Sequence, residues 1–135
     1  MPSPPPPAII LFAHGARDPQ WAQPFRKIRR SIRAMQPGAA VELAFLEIME
    51  PPLADAVAKL AKSGHKRITV APLFLAQGGH MKNDLPKILN AIRAEHRGTD
   101  ITLLPAIGDV DVILDAISAW LIGAIRTKKP GLGRR

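Results

Sequence analysis

The sequence predicts an α/β domain: a four-stranded parallel sheet in the order 2-1-3-4, in a three-layer arrangement with helices on both faces. Three observations predict it. Four apolar, strand-like runs alternate with four stretches of helical periodicity along the 135 residues, the pattern of a parallel sheet with crossover helices. The runs over 8–13 and 68–74 are apolar without alternation, as in strands buried on both faces. Both lead into a histidine set among glycines, His14-Gly15 after the first and Gly78-Gly79-His80 after the second. In such sheets, groups just beyond the carboxyl ends of the strands line the ligand crevice. Bringing His14 and His80 to one place requires the first and third strands to be neighbours, which gives the strand order.

Each element has its own signal. After the first strand, Asp18-Pro19 offers an N-cap followed by a proline at the first helical position. Trp21, Phe25, Ile28, Ile32 and Met35 then recur at helical spacing until Pro37-Gly38 stops the run. Residues 41–46 read as the second strand. Pro51 starts a helix with Leu53, Val57, Leu60 and Ala61 inward, ended by Gly64. After the third strand, Asn83 or Asp84 is expected to cap a helix whose apolar face is Leu85, Ile88, Leu89 and Ile92, terminating near Gly98. Residues 101–104 form a short fourth strand. The last helix follows Asp109, with Ile113, Ile117, Trp120, Leu121 and Ala124 on one face.

Composition bounds the function. One domain of this size holds a real core. Residues 1–7 read as a disordered Pro-rich leader, 8–125 as the domain and 126–135 as a basic flexible tail. The absence of cysteine excludes disulfides, thiolate metal sites and thiol nucleophiles. No apolar run is long enough to span a bilayer, and the N-terminus lacks the pattern of a secretory signal. A cytoplasmic protein with no membrane partner is expected. Of the 19 basic residues behind the net charge of +8, Arg126, Lys128, Lys129, Arg134 and Arg135 lie in the tail, which leaves 14 basic against 11 acidic groups over 1–125. Arg17, Arg26, Lys27, Arg29, Arg30 and Arg33 are the other concentration. With no tyrosine, four phenylalanines and two tryptophans, nothing interleaves aromatics with that charge for base stacking. Nucleic acid is not the expected partner; a small polyanion fits the same charge.

The candidate chemistry lies at the strand ends. The first strand delivers His14, the second Glu47 and the third His80. Imidazole is a base near neutral pH and the commonest metal-binding side chain, and two imidazoles with a carboxylate can hold a divalent cation with positions left open. Glycines let a flat ligand approach the backbone closely, and Gly78-Gly79-His80 leads into a helix N-terminus, which favours anionic groups. Plainer roles exist: His14 as a turn residue, His80 as a shaper of its loop, Glu47 and Glu50 as first-turn acids of the helix begun at Pro51. His65 and His96 sit at helix ends and are assigned no function.

Three ordered segments carry a resemblance. His14-Gly15-Ala16-Arg17-Asp18-Pro19, Phe45-Leu46-Glu47-Ile48-Met49-Glu50-Pro51, and the stretch from Val70 through Gln77-Gly78-Gly79-His80-Met81-Lys82-Asn83-Asp84 to Pro86 resemble the small, single-lobe sirohydrochlorin cobaltochelatases. These belong to the class II tetrapyrrole chelatases, with the sirohydrochlorin ferrochelatases and nickel chelatases. The similarity runs from about Ile9 to Leu121. It implies a chelatase-like fold and insertion of a divalent metal into a tetrapyrrole without ATP, in cobalamin or siroheme biosynthesis. Co²⁺ is favoured as the metal substrate, Fe²⁺ or Ni²⁺ are alternatives, and no organic cofactor is implied.

By position, the family's metal-binding and catalytic histidines match His14 and His80, and its active-site glutamate matches Glu47. Gly15, Arg17, Gly78, Gly79 and Lys82 lie where a sirohydrochlorin-type tetrapyrrole would bind, the two cations facing its carboxylates. The turn after the first histidine is Gly15-Ala16 where most relatives have Gly-Ser, so no hydroxyl is available there. Short forms build the cleft by homodimerisation. Two other readings compete: a non-catalytic metal- or tetrapyrrole-binding module, and a histidine phosphatase. The phosphatase requires an arginine immediately before its His-Gly, where this chain has Ala13.

Overall fold

The computed structural model describes residues 6–127. The elements are β1 (Ala8–Ala13), a 3-10 turn (Pro19–Ala22), α1 (Gln23–Met35), β2 (Ala40–Phe45), α2 (Leu53–Lys62), β3 (Arg67–Pro72), α3 (Gly79–Glu95), β4 (Asp100–Leu103), a second 3-10 turn (Ile107–Asp109) and α4 (Asp111–Thr127). The strands pair in parallel in the order β2-β1-β3-β4, as the sequence predicts. The leader over 1–5 and the tail over 128–135 lie outside the described residues. Pro7 continues the β1–β2 ladder, its carbonyl accepting from Ala40 N at 2.9 Å, and Arg126 belongs to the last turn of α4.

Successive residues of a strand face opposite sides of a sheet, and β1 supplies both faces. Ala8, Ile10 and Phe12 join a core closed by α2 (Leu53, Ala56, Val57, Leu60) and α3 (Leu85, Leu89, Ile92), with Ile68 and Val70 from β3. Leu11 and Ala13 join Val41, Leu43 and Phe45 of β2 in a second core, against which Trp21, Phe25 and Ile32 pack. Phe12 and Ile10 at the centre are fully buried; each such side chain contributes about 1.5–3 kcal/mol by leaving water.

The helix ends follow local chemistry. Asp18 Oδ1 accepts from Gln20 N at 2.9 Å, but the helix it opens is one 3-10 turn before α1 begins. Gly64 adopts φ +96°; Gly64 N donates to Ala61 O at 3.0 Å and His65 N to Leu60 O at 3.1 Å, the paired bonds that close a helix through a left-handed residue. α2 starts at Leu53, and its first-turn acid is Asp55. Glu47 and Glu50 therefore precede the helix rather than occupying its first turn.

Two expectations need correcting. α3 begins at Gly79, with Gly78 as its N-cap, rather than after Asn83 or Asp84. It runs through Pro86, which removes one intrahelical bond; burial of Leu85, Leu89 and Ile92 keeps the helix continuous. The second correction is α4. Its predicted inward face does not lie on the sheet: no residue of α4 is buried, and Trp120 is 69% exposed. Its principal neighbour is the 3-10 turn that leads into it.

Arginines reach both outer strands. Arg33 of α1 donates to Val41 O at 3.0 Å on β2, and Arg93 of α3 donates through Nε and Nη2 to Ile101 O at 3.2 and 2.7 Å on β4. Among the described residues no helix is long and apolar enough to cross a membrane.

Candidate active site

The central strands carry their pairing past the sheet and so fix the loops that follow. Leu73 N donates to Phe12 O at 2.8 Å, Leu46 N to Ala13 O at 2.9 Å, and Glu47 N to His14 O at 3.0 Å. His14 and Glu47 are therefore main-chain neighbours at the carboxyl edge. Gly15 makes this possible. It takes φ +96°, and a Cβ there would lie 1.9 Å from Glu47 O, so any side chain would force the two loops apart.

The same contact bears on Ile48, a β-branched residue at φ +69°. Met49 N donates to Glu47 O at 2.7 Å, which closes a three-residue turn around it. Such a conformation costs on the order of 1–3 kcal/mol and persists where the surroundings impose it. Here the ladder bonds of Leu46 and Glu47 and the close approach of Gly15 impose it.

The side chains at this edge are open to solvent. His14, Arg17, Glu47, His80 and Lys82 are all exposed. The His14 ring lies against Phe74, centroids 4.5 Å apart and planes at 43°, and Phe74 is itself anchored edge-on to Phe12 at 5.6 Å. One face of the imidazole is thus fixed on the core and the rest is open to solvent. His80 is the second residue of α3, not a loop residue. The first turn of α3 holds no acid and Gly78 makes no side-chain cap bond, so the amides there are not capped by a side chain. Arg17 follows the Gly15 turn, and Lys82 lies one turn into α3.

What one chain does not do is assemble a complete metal cage. Among the described residues, no three His, Asp or Glu groups converge to hold an ion. An open hollow of about 350 Å³ lies beyond β3 and β4, lined by Gln77, Lys82 and Asp109 among others; another of about 370 Å³ separates α2 from α3. Neither is lined by His14, Glu47 or His80. The sequence reading missed Phe74 as the support of His14, because an aromatic at the end of an apolar run reads as core. It missed Gly108 too. Gly108 N donates to Phe74 O at 3.1 Å, and a Cβ on Gly108 would lie 1.5 Å from Leu75 O. A glycine just before a helix was the available signal.

A parallel four-stranded sheet with solvent-facing imidazole at its carboxyl edge defines a class of α/β proteins that bind ligands at the strand ends. The chain belongs to the CbiX family, whose model matches residues 8–122. A solved structure of a cobalamin (vitamin B12) biosynthesis CbiX protein from Marinobacter aquaeolei VT8 superposes with a TM-score of 0.77 at 33% identity, covering 91% of this chain and 100% of that one. A sirohydrochlorin cobaltochelatase of Methanopyrus kandleri is 43% identical over 82 residues, 61% of this chain. The chain spans 57% of that relative's length. A sirohydrochlorin cobaltochelatase of Saccharolobus solfataricus is 30% identical over 106 residues, 74% of this chain and 81% of that protein.

Proposed function

We propose that the protein inserts a divalent metal, Co²⁺ in the first instance, into sirohydrochlorin without ATP. The observation that carries this reading is the setting of His14. It sits at the end of a central strand, exposed, backed by Phe74 at 4.5 Å, and joined through its main chain to the Glu47 loop at 3.0 Å. The family and the chelatase names of its relatives support the same reading.

Insertion exchanges one metal dication for two pyrrolic protons, so the site must bring the ion and remove protons. His14 and His80 present the metal and accept protons. Glu47 orients an imidazole or takes a proton in turn. Arg17 and Lys82 face the carboxylates at the rim of the macrocycle, and the backbone of Gly15, Gly78 and Gly79 lets the flat ring come close. Ala16 offers no hydroxyl at the first turn, so polar contacts come from the other loops.

A single chain leaves this edge open, and a two-fold homodimer supplies the opposite wall. With the cavity on the axis, each chain contributes one His14 and one His80. Metal selectivity in such a site rests on geometry and supply more than on intrinsic affinity. The test is anaerobic insertion with sirohydrochlorin and Co²⁺, Fe²⁺ and Ni²⁺ in parallel, followed by the absorption of the metallated ring. Multiple turnovers, fastest with Co²⁺, are expected. Faster turnover with Fe²⁺ or Ni²⁺ reassigns the metal, and a yield capped at one metallated ring per site makes the protein a carrier.

A further inference from the structure

We propose that Ile48 and Leu75 are the apolar supports of the macrocycle, one on each side of His14, and that they hold the uncharged face of the ring against the imidazole. The assignment rests on the proposed insertion into sirohydrochlorin and names the residues that grip the ring itself.

The three positions form a row across the carboxyl edge. His14 follows β1, which lies between β2 and β3. Ile48 is the third residue beyond the end of β2 and Leu75 the third beyond the end of β3. Leu46 N donates to Ala13 O at 2.9 Å and Leu73 N to Phe12 O at 2.8 Å, so both loops leave the sheet at strand spacing. Strands about 4.8 Å apart put the two loops about 10 Å from each other, with His14 between them. One tetrapyrrole ring bridges such a span.

Both side chains bury little in this chain: Ile48 is 62% exposed and Leu75 59%. Single exposed aliphatic residues are ordinary, but these two are held in place. The bond from Met49 N to Glu47 O closes the turn that sets Ile48 at φ +69°. Glycine or asparagine adopts that conformation at least cost and a β-branched residue at most. Isoleucine there strains the backbone and gains little burial, so the folding of one chain does not account for it. Leu75 is fixed from behind. Gly108 lies against its carbonyl, too close for a Cβ, and Gly108 N donates to Phe74 O at 3.1 Å.

The ligand chemistry divides in the same way as the residues. A polycarboxylate tetrapyrrole has charged groups around its rim and two apolar faces. Arg17 and Lys82, in the segments that leave β1 and β3, answer the rim. Ile48 and Leu75 answer a face, and they exclude water from the ring beside the imidazole that presents the metal. Ligand sites generally combine an apolar lining with a few placed polar groups in this manner.

The test is the affinity of Ile48→Asn and Leu75→Asn for metal-free sirohydrochlorin, read from the fluorescence of the ring. Each variant should bind about tenfold more weakly, the loss of one apolar contact. Ile48→Val and Leu75→Met should bind as the unaltered protein does. The loss in the Asn variants should persist at high salt, because no charge is removed. The urea midpoint of Ile48→Asn should not fall, since asparagine suits the left-handed turn.

Unchanged affinity in both Asn variants would overturn the assignment. A lower urea midpoint for Ile48→Asn would make it a folding residue, and a lower mass by light scattering would give the pair to a contact between copies; either result counts against ring support. Metal insertion by the unaltered protein is scored separately. Ring binding without turnover removes the chelatase reading and leaves the supports. Turnover with unchanged affinity in both Asn variants removes the supports and leaves the chelatase, and no ring binding by the unaltered protein removes both.

Discussion

The imidazole of His14 rests on the ring of Phe74, 4.5 Å between centroids, so a solvent-facing group is positioned by a residue that is 2% exposed. Core packing and site geometry meet in that contact. Phe74→Leu, close to volume-conserving, should cost less than about 1.5 kcal/mol but remove the flat support. We expect thermal melting to shift little and metal insertion to slow several-fold. An unchanged insertion rate would reduce Phe74 to a packing residue. Phe74→Ala should cost about 3–5 kcal/mol.

His14→Ala and His80→Ala should each abolish most insertion. His80→Ala should leave stability within about 0.5 kcal/mol, since its side chain is exposed, whereas His14→Ala should cost about 0.5–1.5 kcal/mol for the lost ring contact with Phe74. Glu47→Gln should lower kcat more than it weakens tetrapyrrole binding, because it removes charge and keeps shape. Steady-state kinetics beside denaturant melts would decide, and near-normal rates in both histidine variants would remove the metal-handling assignment.

Gly15 and Gly64 share φ +96° but differ in surroundings: a Cβ meets Glu47 O at 1.9 Å in the first and nothing within 4 Å in the second. Gly64→Ala should cost about 1 kcal/mol, from backbone strain alone. Gly15→Ala adds overpacking of about 1–3 kcal/mol and displaces the Glu47 loop, so insertion should fall with it. Urea midpoints compare the pair directly. Equal losses would mean that the Gly15 loop relaxes freely.

Arg17→Gln and Lys82→Gln should raise KM for the polycarboxylate macrocycle with kcat nearly unchanged, the signature of binding shared by ground and transition states. The KM difference from the unaltered protein should shrink as salt is added, because exposed charges are screened. A fall in kcat at constant KM would place these residues in the chemistry instead.

The strand–helix alternation and the two-sided apolar character of β1 were enough to read a parallel sheet from the sequence, and its order followed from placing His14 and His80 at one edge. Asp18 and Gly64 behave as their local chemistry dictates. The start of α3 was not readable, because Pro86 suggests a helix that begins just before it, whereas burial of Leu85 and Leu89 carries the helix back to Gly79. In α4 the periodicity identifies a face to be buried but carries no information about what buries it. At the site, His14 and Glu47 are adjacent because their strands are, which sequence order implies. The Phe74 support and the Ile48 turn arise from contacts between loops distant in sequence, to which no local pattern points.

Arg33 and Arg93 give the sheet a polarity of association. Each places a guanidinium on a main-chain carbonyl of an outermost strand, Val41 at 3.0 Å and Ile101 at 2.7 Å. A foreign strand seeking to lengthen the sheet would have to displace a charged donor at either side. Growth by strand addition, the route to fibrils, is thereby handicapped at both margins, and copies of the chain are steered to meet through side chains and not through their backbones.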